Sequence, residues 1–306
     1  MLVRRRDFLT AASAAAAVGT APAWAMTSAS TPVEVAYAGS MTAVMEQAIK
    51  PAAARALGVA LRGRAQGATA LAHEIIGGSL RPDVFIAVTA EPMEIVLRAG
   101  LARAAEAIAR TEMVIAYAPR GKFAAALAQG QPWWRILETP GIRFGRTDPS
   151  GDPQGRNIIY VCELAERYYH QPGLAARILG PTMNPRQIFA EAMVEGRLQS
   201  GELDAASAYR TQPGAFHIPY VTLPAAINLS GRLPAADRGL ALTLDGHTYH
   251  PQTLVFYAAA LTTAAHPGAA LALVRWLRGA AAQALLQRYG YDAPGDAAPL
   301  AARHHG

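Results

Sequence analysis

Short apolar stretches alternate with amphipathic segments along most of the chain. Residues 33–38 are rich in β-branched and small side chains, which is typical of a buried strand. The pair Gly39-Ser40 follows as a turn, and residues 42–57 then carry apolar side chains at helical spacing. This order of strand, turn and helix recurs through residues 59–77 and again through residues 82–100. It predicts an α/β fold with a parallel sheet and right-handed crossovers.

The second half of the chain continues the alternation around one polar loop. Residues 146–156 are dense in Asp, Pro and Gly, a composition that predicts a loop between a strand and a helix. Ligands of open α/β sheets bind beyond the carboxyl ends of strands, where such loops gather. The other elements predicted here are strands within residues 113–118, 142–145, 201–209, 219–224 and 252–258, and helices within residues 157–169, 185–199 and 268–289.

Length and composition limit the class of protein. The 306 residues are 52% hydrophobic and 16% charged, which excludes a disordered chain and fits one large or two medium domains. Cys162 is the single cysteine, so the chain has no internal disulfide framework and no cysteine-rich zinc or iron–sulfur site. Its position in an apolar helical stretch predicts a small buried side chain.

Residues 1–25 have the organisation of a signal peptide. Arg4-Arg5-Arg6 precede an apolar stretch that begins at Phe8, and small residues lead to a cleavage position near Ala25. The arginine run resembles the twin-arginine export signal, and export with cleavage predicts a periplasmic protein. Without this segment, which holds three arginines and one aspartate, the 28 basic and 22 acidic residues become 25 and 21, a net charge of +4. Such a mild excess suits a small anion and predicts no nucleic-acid partner.

Several segments together resemble one family. Ala38-Gly39-Ser40 after the first strand, residues 81–87 and residues 111–117 are similar to parts of periplasmic molybdate/tungstate-binding proteins, which supply ABC importers. The likeness spans nearly the whole chain after the signal segment. Its further segments, in order, are residues 148–156, 198–209, 223–230 and 279–286. It implies a solute-binding protein that acts as a monomer and delivers its ligand to a membrane permease.

The family implies a two-lobed, type II-like periplasmic binding protein that closes on its ligand by a hinge. Each lobe is expected to be a mostly parallel sheet flanked by helices. Lobe one is predicted to contain residues 26–115 and 222–306, and lobe two residues 116–221. Apolar segments at residues 113–118 and 219–223, which we predict to be crossing strands, agree with that division.

The resemblance also implies where the ligand binds. Molybdate and tungstate are tetrahedral dianions, which backbone N–H groups, hydroxyls and helix N-termini can hold. The residues that match the family's donors are Ser40, Ala68 and Thr69 in lobe one, and Asp152, Gln154 and Tyr209 in lobe two. Ala68 and Thr69 are expected to act through their backbone amides. No cofactor, resident metal or catalytic residue is expected.

Each of these residues also has an alternative structural interpretation. Ser40 and Thr69 stand where helix caps are common, and Tyr209 fits a core position. In the archaeal-type branch of the family, an aspartate and a later glutamate complete octahedral coordination of the metal. Asp152 matches the aspartate, but the second position falls near Ala208, where no carboxylate stands. We therefore expect Asp152 to organise its turn by accepting hydrogen bonds from local amides.

Weaker candidates lie near the same loop. A backbone N–H near Pro185-Arg186, at the predicted start of a helix, is a further possible donor to the ligand. Arg146, Arg156 and Arg186 could assist as cations, but the sequence favours solvated surface positions for all three.

The sequence indicates a binding protein rather than an enzyme. It lacks the Gly-x-Ser-x-Gly, Walker A, Gly-x-Gly-x-x-Gly and His-Glu-x-x-His motifs. The alternative ligands are sulfate, phosphate, a small organic anion and ferric iron. Tyr168-Tyr169 is similar to the paired phenolates of ferric-iron binders, but adjacent residues late in a helix face different sides, one inward and one outward.

Overall fold

The computed structural model describes residues 30–302 of the chain. The predicted signal segment, with its cleavage position near Ala25, lies outside the described residues and stays a prediction.

The described residues form short strands and helices in alternation. The strands are β1 (Thr31–Ala38), β2 (Val59–Gln66), β3 (Val84–Val88), β4 (Ala104–Arg110), β5 (Met113–Tyr117), β6 (Phe144–Gly145), β7 (Ala205–Tyr209), β8 (Tyr220–Thr222), β9 (Leu242–Leu244), β10 (His247–Tyr249), β11 (Val255–Ala260) and β12 (Leu300–Ala301). The helices are α1 (Thr42–Val44), α2 (Lys50–Leu57), α3 (Ala68–Ile76), α4 (Ala90–Arg98), α5 (Ala124–Ala128), α6 (Trp133–Leu137), α7 (Pro153–Tyr168), α8 (Leu174–Leu179), α9 (Glu191–Ser200), α10 (Thr211–Ala215), α11 (Pro267–Arg278) and α12 (Ala280–Arg288). A π-helical segment, Met45–Ile49, joins α1 to α2, and 3₁₀ turns cover Gly39–Met41 and Ala235–Asp237.

The first sheet has six strands in the order β12-β4-β11-β3-β1-β2. β1 runs parallel to both β2 and β3, whereas β11 is antiparallel to β3 and to β4. The carboxyl ends of β1, β2 and β3 therefore meet at one edge of the sheet. Gly39, Gly67 and Thr89 follow these three strands directly, so the turns that contain them gather at that edge.

The second sheet has four strands in the order β6-β7-β5-β8. β7 and β8 are antiparallel to β5, and β6 is parallel to β7. Alternate residues of β5 face opposite sides, as in any strand. Val114 and Ala116 pack with Val194 and Leu198 of α9, whereas Ile115 belongs to the main core, which also contains the apolar side of α7. Helices α7 and α9 thus cover the two faces of this sheet.

Two sheets flanked by helices form the two expected lobes, but both sheets are mixed rather than mostly parallel. In the first sheet only the opening β–α–β units pair in parallel, as the early strand–helix repeats predict, and in the second sheet only β6 and β7 do. β11 joins the first sheet after the chain has crossed from the second, and it enters between β3 and β4 in the opposite direction. The first sheet draws on residues 31–110 and 255–301 and the second on residues 113–222, while the lobe boundaries stay a prediction.

Two helix starts differ from the sequence prediction. α7 begins at Pro153, before the predicted residue 157, because Asp152 caps it and proline suits the first helical position. α9 begins at Glu191 and not at residue 185. Before it, Ile188 forms a bridge with Arg146 beside the second sheet, so this segment is extended where the pattern predicts a helix.

The helix pair near the carboxyl end belongs to the core. Ala270, Leu273 and Leu277 of α11 are fully buried against the first sheet. Within residues 30–302, no single helix has the length and apolar composition of a membrane span, and α11 and α12 reach those values only as a pair bent by 62°.

Candidate functional site

A cavity of about 550 Å³ lies between the loops of the two sheets. From the first sheet's side it is lined by the turn after β1 and by the start of α3. From the second sheet's side it is lined by the loop before α7, the start of α9, and α10 with the residue after it. Its polar lining residues include Ser40, Thr42, Gln66, Thr147, Asp148, Asp152, Glu191, Glu195, Gln199 and Gln212.

The loops of the two lobes touch at the cavity wall. The amide of Ala70, in the first turn of α3, donates to the Gly151 carbonyl at 3.1 Å. A Cβ at Gly67 would lie only 2.6 Å from the same carbonyl oxygen. Glycine is therefore required at position 67, because any side chain would push the two loops apart.

Ser40 lies in the 3₁₀ turn after β1 and lines the cavity, where the sequence predicts a ligand donor. Its residue is 6% exposed, and its hydroxyl has no hydrogen-bond partner among the described residues. A buried hydroxyl without a partner costs free energy. This hydroxyl can bind an oxygen that enters the cavity.

Asp152 lines the opposite wall as the N-cap of α7. Its Oδ1 accepts a hydrogen bond from the Gln154 amide at 2.9 Å, so the predicted bond to a local amide is confirmed. The carboxylate also remains part of the cavity wall. Burial raises the pKa of Asp152, and the Gln154 amide opposes that shift only in part.

Glu191 supplies a second cavity carboxylate, although the position that the family pattern indicates, near Ala208, holds none. The position near Ala208 lies inside β7, fully covered, whereas Glu191 opens α9 beside the turn after β1. Its carboxylate lies so close to Gly39 that a Cβ there would collide with it. Burial, and then the nearby Asp152 and Glu195 charges, raise the pKa of Glu191 well above its usual range.

The ionisable side chains that line the cavity are all acidic. Four carboxylates belong to its lining: Asp148, Asp152, Glu191 and Glu195. No lysine, arginine or histidine is among the lining residues, all of which lie in the described part of the chain. The first-turn residues of α9 and the caps of α3 and α7 also line it, and helix N-termini carry partial positive charge. The cavity therefore combines acceptor carboxylates with polarised N–H groups.

A second contact between the lobes lies beside the cavity, and we name it the latch: Arg156, Thr69, Glu91 and Tyr249. The Arg156 guanidinium donates to Thr69 Oγ1 at 2.7 Å and to Glu91 Oε2 at 3.1 Å. It stacks 4.0 Å from the centre of the Tyr249 ring. Arg156 is 4% exposed, so its predicted surface position is wrong, because partners distant in sequence surround it.

Four of the predicted ligand residues lie behind the cavity wall rather than in it. Gln154 and Tyr209 are each 1% exposed. The Tyr209 hydroxyl accepts from Asn157 Nδ2 at 3.0 Å, and Gln154 Nε2 donates to the Gln212 side chain. Ala68 is buried at the start of α3. The Thr69 hydroxyl is taken up by the latch, so ligand contact by these residues stays a prediction.

The other sequence candidates lie away from the cavity lining. Arg146 is fully buried, against expectation, and its Nη2 donates to the Thr182 carbonyl at 2.6 Å, whereas Arg186 is exposed. Tyr168 is exposed and Tyr169 packs against Trp133 and Trp134, as the helical geometry predicts. Within residues 30–302, no group of three His, Cys, Asp or Glu side chains is arranged to hold a metal ion.

Cys162 is fully buried in α7, as predicted for a small core side chain. Burial raises the pKa of its thiol far above the usual range, so the thiol stays protonated and unreactive.

The chain is similar to known proteins whose descriptions agree with one another. An uncharacterized solute-binding protein of Halobacterium salinarum is 28% identical, with 90% of this chain and 88% of that protein aligned. The molybdate/tungstate-binding protein WtpA of Thermococcus kodakarensis is 27% identical, over 56% of this chain and 55% of that protein. The structure of the periplasmic molybdate-binding protein of Azotobacter vinelandii matches with a TM-score of 0.59 at 17% identity, covering 85% of this chain and 98% of that one.

The structural match supports the two-lobed fold, and the sequence relatives support the family resemblance. Residues 33–292 match the family described as bacterial extracellular solute-binding protein. This range includes the second sheet, the cavity, the latch and all of the first sheet except β12 and the first two residues of β1. The chain belongs to the bacterial extracellular solute-binding protein family.

Proposed function

We propose that this protein captures molybdate or tungstate in the cavity between its lobes and delivers the oxyanion to an ABC importer. One observation carries the proposal: the carboxylates of Asp152 and Glu191 converge on a cavity whose lining holds no basic side chain. The molybdate/tungstate-binding relative and the predicted signal segment agree with it.

The chemistry of the two carboxylates discriminates between oxyanions. When both are ionised, these two side chains repel any dianion unless they bind its central atom. The hexavalent metal of molybdate or tungstate can add oxygen ligands and expand from tetrahedral to octahedral coordination. Sulfur in sulfate and phosphorus in phosphate do not accept further oxygen ligands in this way. Carboxylates at this place therefore favour molybdate and tungstate over the other two anions.

The remaining groups of the cavity would hold the oxygens of the ligand. The unpartnered hydroxyl of Ser40 can donate to one of them. The N-terminal ends of α3, α7 and α9 supply N–H groups and partial positive charge. Charge-assisted hydrogen bonds of this kind are about twice as strong as neutral ones. In this arrangement Asp152 and Glu191 bind the metal, and the neutral donors bind the oxygens.

A small organic anion is the second candidate. The cavity volume of about 550 Å³ exceeds the space that a tetrahedral oxyanion fills, and Phe189 and Phe216 belong to its lining. Aromatic walls with a few polar groups are typical of sites for larger ligands. Both candidates keep the same fold, the same cleft and the same delivery to a permease.

A titration of ligand-stripped protein without residues 1–25 tests the proposal. Calorimetry and thermal unfolding would be measured with molybdate, tungstate, sulfate, phosphate, ferric citrate and a panel of small carboxylates. A ligand at 100 times its dissociation constant stabilises the fold by about 2.7 kcal/mol. We expect that effect with molybdate and tungstate alone. Stabilisation only by sulfate, phosphate, iron or a carboxylate would reject the proposed ligand.

A further inference from the structure

Gln212 lies in α10 and lines the cavity, although the sequence offers no local sign of a role there. The residue is 5% exposed. Its side-chain amide makes contacts with β7, α7 and α9. It accepts hydrogen bonds from the Tyr209 amide, at 2.9 Å, and from Gln154 Nε2. It donates to Glu195 Oε1 at 3.0 Å and to Glu191 Oε1 at 3.4 Å.

The orientation of this amide is fixed by chemistry. The backbone N–H of Tyr209 can only donate, so the amide oxygen of Gln212 must face β7. The NH₂ group then necessarily faces α9. An amide flip would set the NH₂ group against the Tyr209 N–H and the amide oxygen against two carboxylates, and would therefore lose the bonds to Tyr209, Glu191 and Glu195.

The NH₂ group stands between two carboxyl groups, which repel each other when both are ionised. Glu191 and Glu195 are one helical turn apart on α9, a spacing at which carboxylates repel each other. One NH₂ hydrogen is directed to each of them, and this holds the Glu191 carboxylate at the cavity end of the helix. Without these bonds, the repulsion would turn Glu191 away from Glu195 and change its position relative to Asp152.

We infer that Gln212 is the positioning residue of the oxyanion site: its amide holds Glu191 in the orientation in which Glu191 and Asp152 can bind one metal centre. The inference rests on the proposed function. It assigns to this residue an effect on ligand coordination, beyond its contribution to packing.

Two substitutions distinguish the hydrogen bonds that the Gln212 amide donates from the packing of its side chain. Gln212→Met keeps the length of the side chain and removes every hydrogen bond. Gln212→Glu keeps an oxygen for the Tyr209 amide and replaces the donating NH₂ group with an acceptor. Gln47→Met, at an exposed position that bonds only Tyr289, is the matched control. Each protein without residues 1–25 would be measured for molybdate and tungstate affinity, for unfolding without ligand, and by molybdenum K-edge absorption when loaded.

Both Gln212 variants are expected to bind molybdate at least tenfold more weakly than the wild type, and Gln47→Met to match the wild type. The near-edge spectrum of loaded Gln212→Met should move toward that of tetrahedral molybdate, a change that a loss of stability alone does not produce. Should Gln212→Met fail to fold, Gln212→Leu, which also removes every hydrogen bond without adding a charge, decides by the same two readouts.

Wild-type affinity and an unchanged near-edge spectrum in the folded Gln212 variants would overturn the inference and leave the proposed function standing. Loss of affinity in Gln212→Glu with none in Gln212→Met would also overturn it, because added charge alone would then explain the effect. Absence of molybdate and tungstate binding by the wild type would overturn the proposed function together with the inference.

Discussion

The latch and the cavity are two of the places where the lobes meet, and they have opposite electrostatic character. In the latch, the Arg156 guanidinium has a carboxylate, a hydroxyl and an aromatic face as partners, all supplied by the protein. In the cavity, the Asp152 and Glu191 carboxylates both belong to a lining that contains no cation, and the Ser40 hydroxyl has no partner among the described residues. The latch can therefore close by itself, whereas the proposed function requires a ligand to complete the cavity.

This difference separates two contributions to closure. The latch stabilises contact between the lobes whether or not a ligand is present. On the proposed function, we expect the cavity to oppose closure when it is empty and both carboxylates are ionised, and to favour closure when a metal centre lies between them. Substitutions in the two places should therefore affect different measurements.

The largest effect is expected from removing both cavity charges. Asp152→Asn with Glu191→Gln keeps the shape of the side chains but leaves no anionic ligand for the metal. We expect the molybdate dissociation constant to rise at least a thousandfold, about 4 kcal/mol. Unfolding without ligand should need more denaturant than in the wild type, because burying these charges is costly.

The control for the double variant is Glu94→Gln, an exposed carboxylate paired only with Arg98. Calorimetry should give it wild-type affinity. A double variant that still bound molybdate as the wild type does would show that the carboxylates are not ligands.

Breaking the latch should lower stability rather than affinity. Arg156→Met leaves Glu91, whose side chain is 16% exposed, without its cation. Loss of one partner from a largely buried pair costs about 3 kcal/mol. Urea unfolding of ligand-free protein measures this, with Arg98→Met as the exposed control at about 0.5 kcal/mol or less. Equal losses of unfolding free energy in the two variants would mean that the latch stabilises the fold no more than an exposed ion pair does.

Ser40→Ala should weaken binding by an intermediate amount. The loss of one hydrogen bond to a charged ligand costs about 2 kcal/mol, so the molybdate dissociation constant should rise about thirtyfold. Stability without ligand should not fall, because the hydroxyl has no partner among the described residues to lose. If calorimetry found unchanged affinity, Ser40 would be only part of its turn.

Thr69→Val should have the smallest effect. It removes the hydroxyl that joins Arg156 to Glu91 but keeps the backbone amide. We expect a loss of about 1 kcal/mol in unfolding free energy and less than about a threefold change in molybdate affinity. A tenfold loss of affinity with no loss of stability would mean that the Thr69 hydroxyl binds the ligand and does not stabilise the latch.

Local sequence signals were sufficient for the parts of the site that follow strands directly. Ser40 comes at once after the first buried strand, and the edge at which parallel strands end is where ligands bind. Asp152 precedes a proline at a helix start, so its capping role could be predicted. The order of strands and helices was also predictable, because the spacing of hydrophobic residues along the chain indicates whether a segment is a strand or a helix.

The remaining features depend on partners that are distant in sequence. A basic residue such as Arg156 is solvated in most settings, and only folding places Thr69 and Glu91 beside it. Glu191 was missed because the predicted helix starts too early; the bridge between Ile188 and Arg146 delays the helix and puts a carboxylate at its first position. An acidic residue there also fits an ordinary helix start, so the sequence offered no stronger signal.

Molybdenum K-edge X-ray absorption of the wild-type protein loaded with one equivalent of molybdate tests the central claim most directly. If Asp152 and Glu191 bind the metal, the spectrum will show an octahedral oxygen shell with added longer carboxylate bonds and a weak pre-edge. An unchanged tetrahedral molybdate spectrum from the bound ligand would contradict that claim.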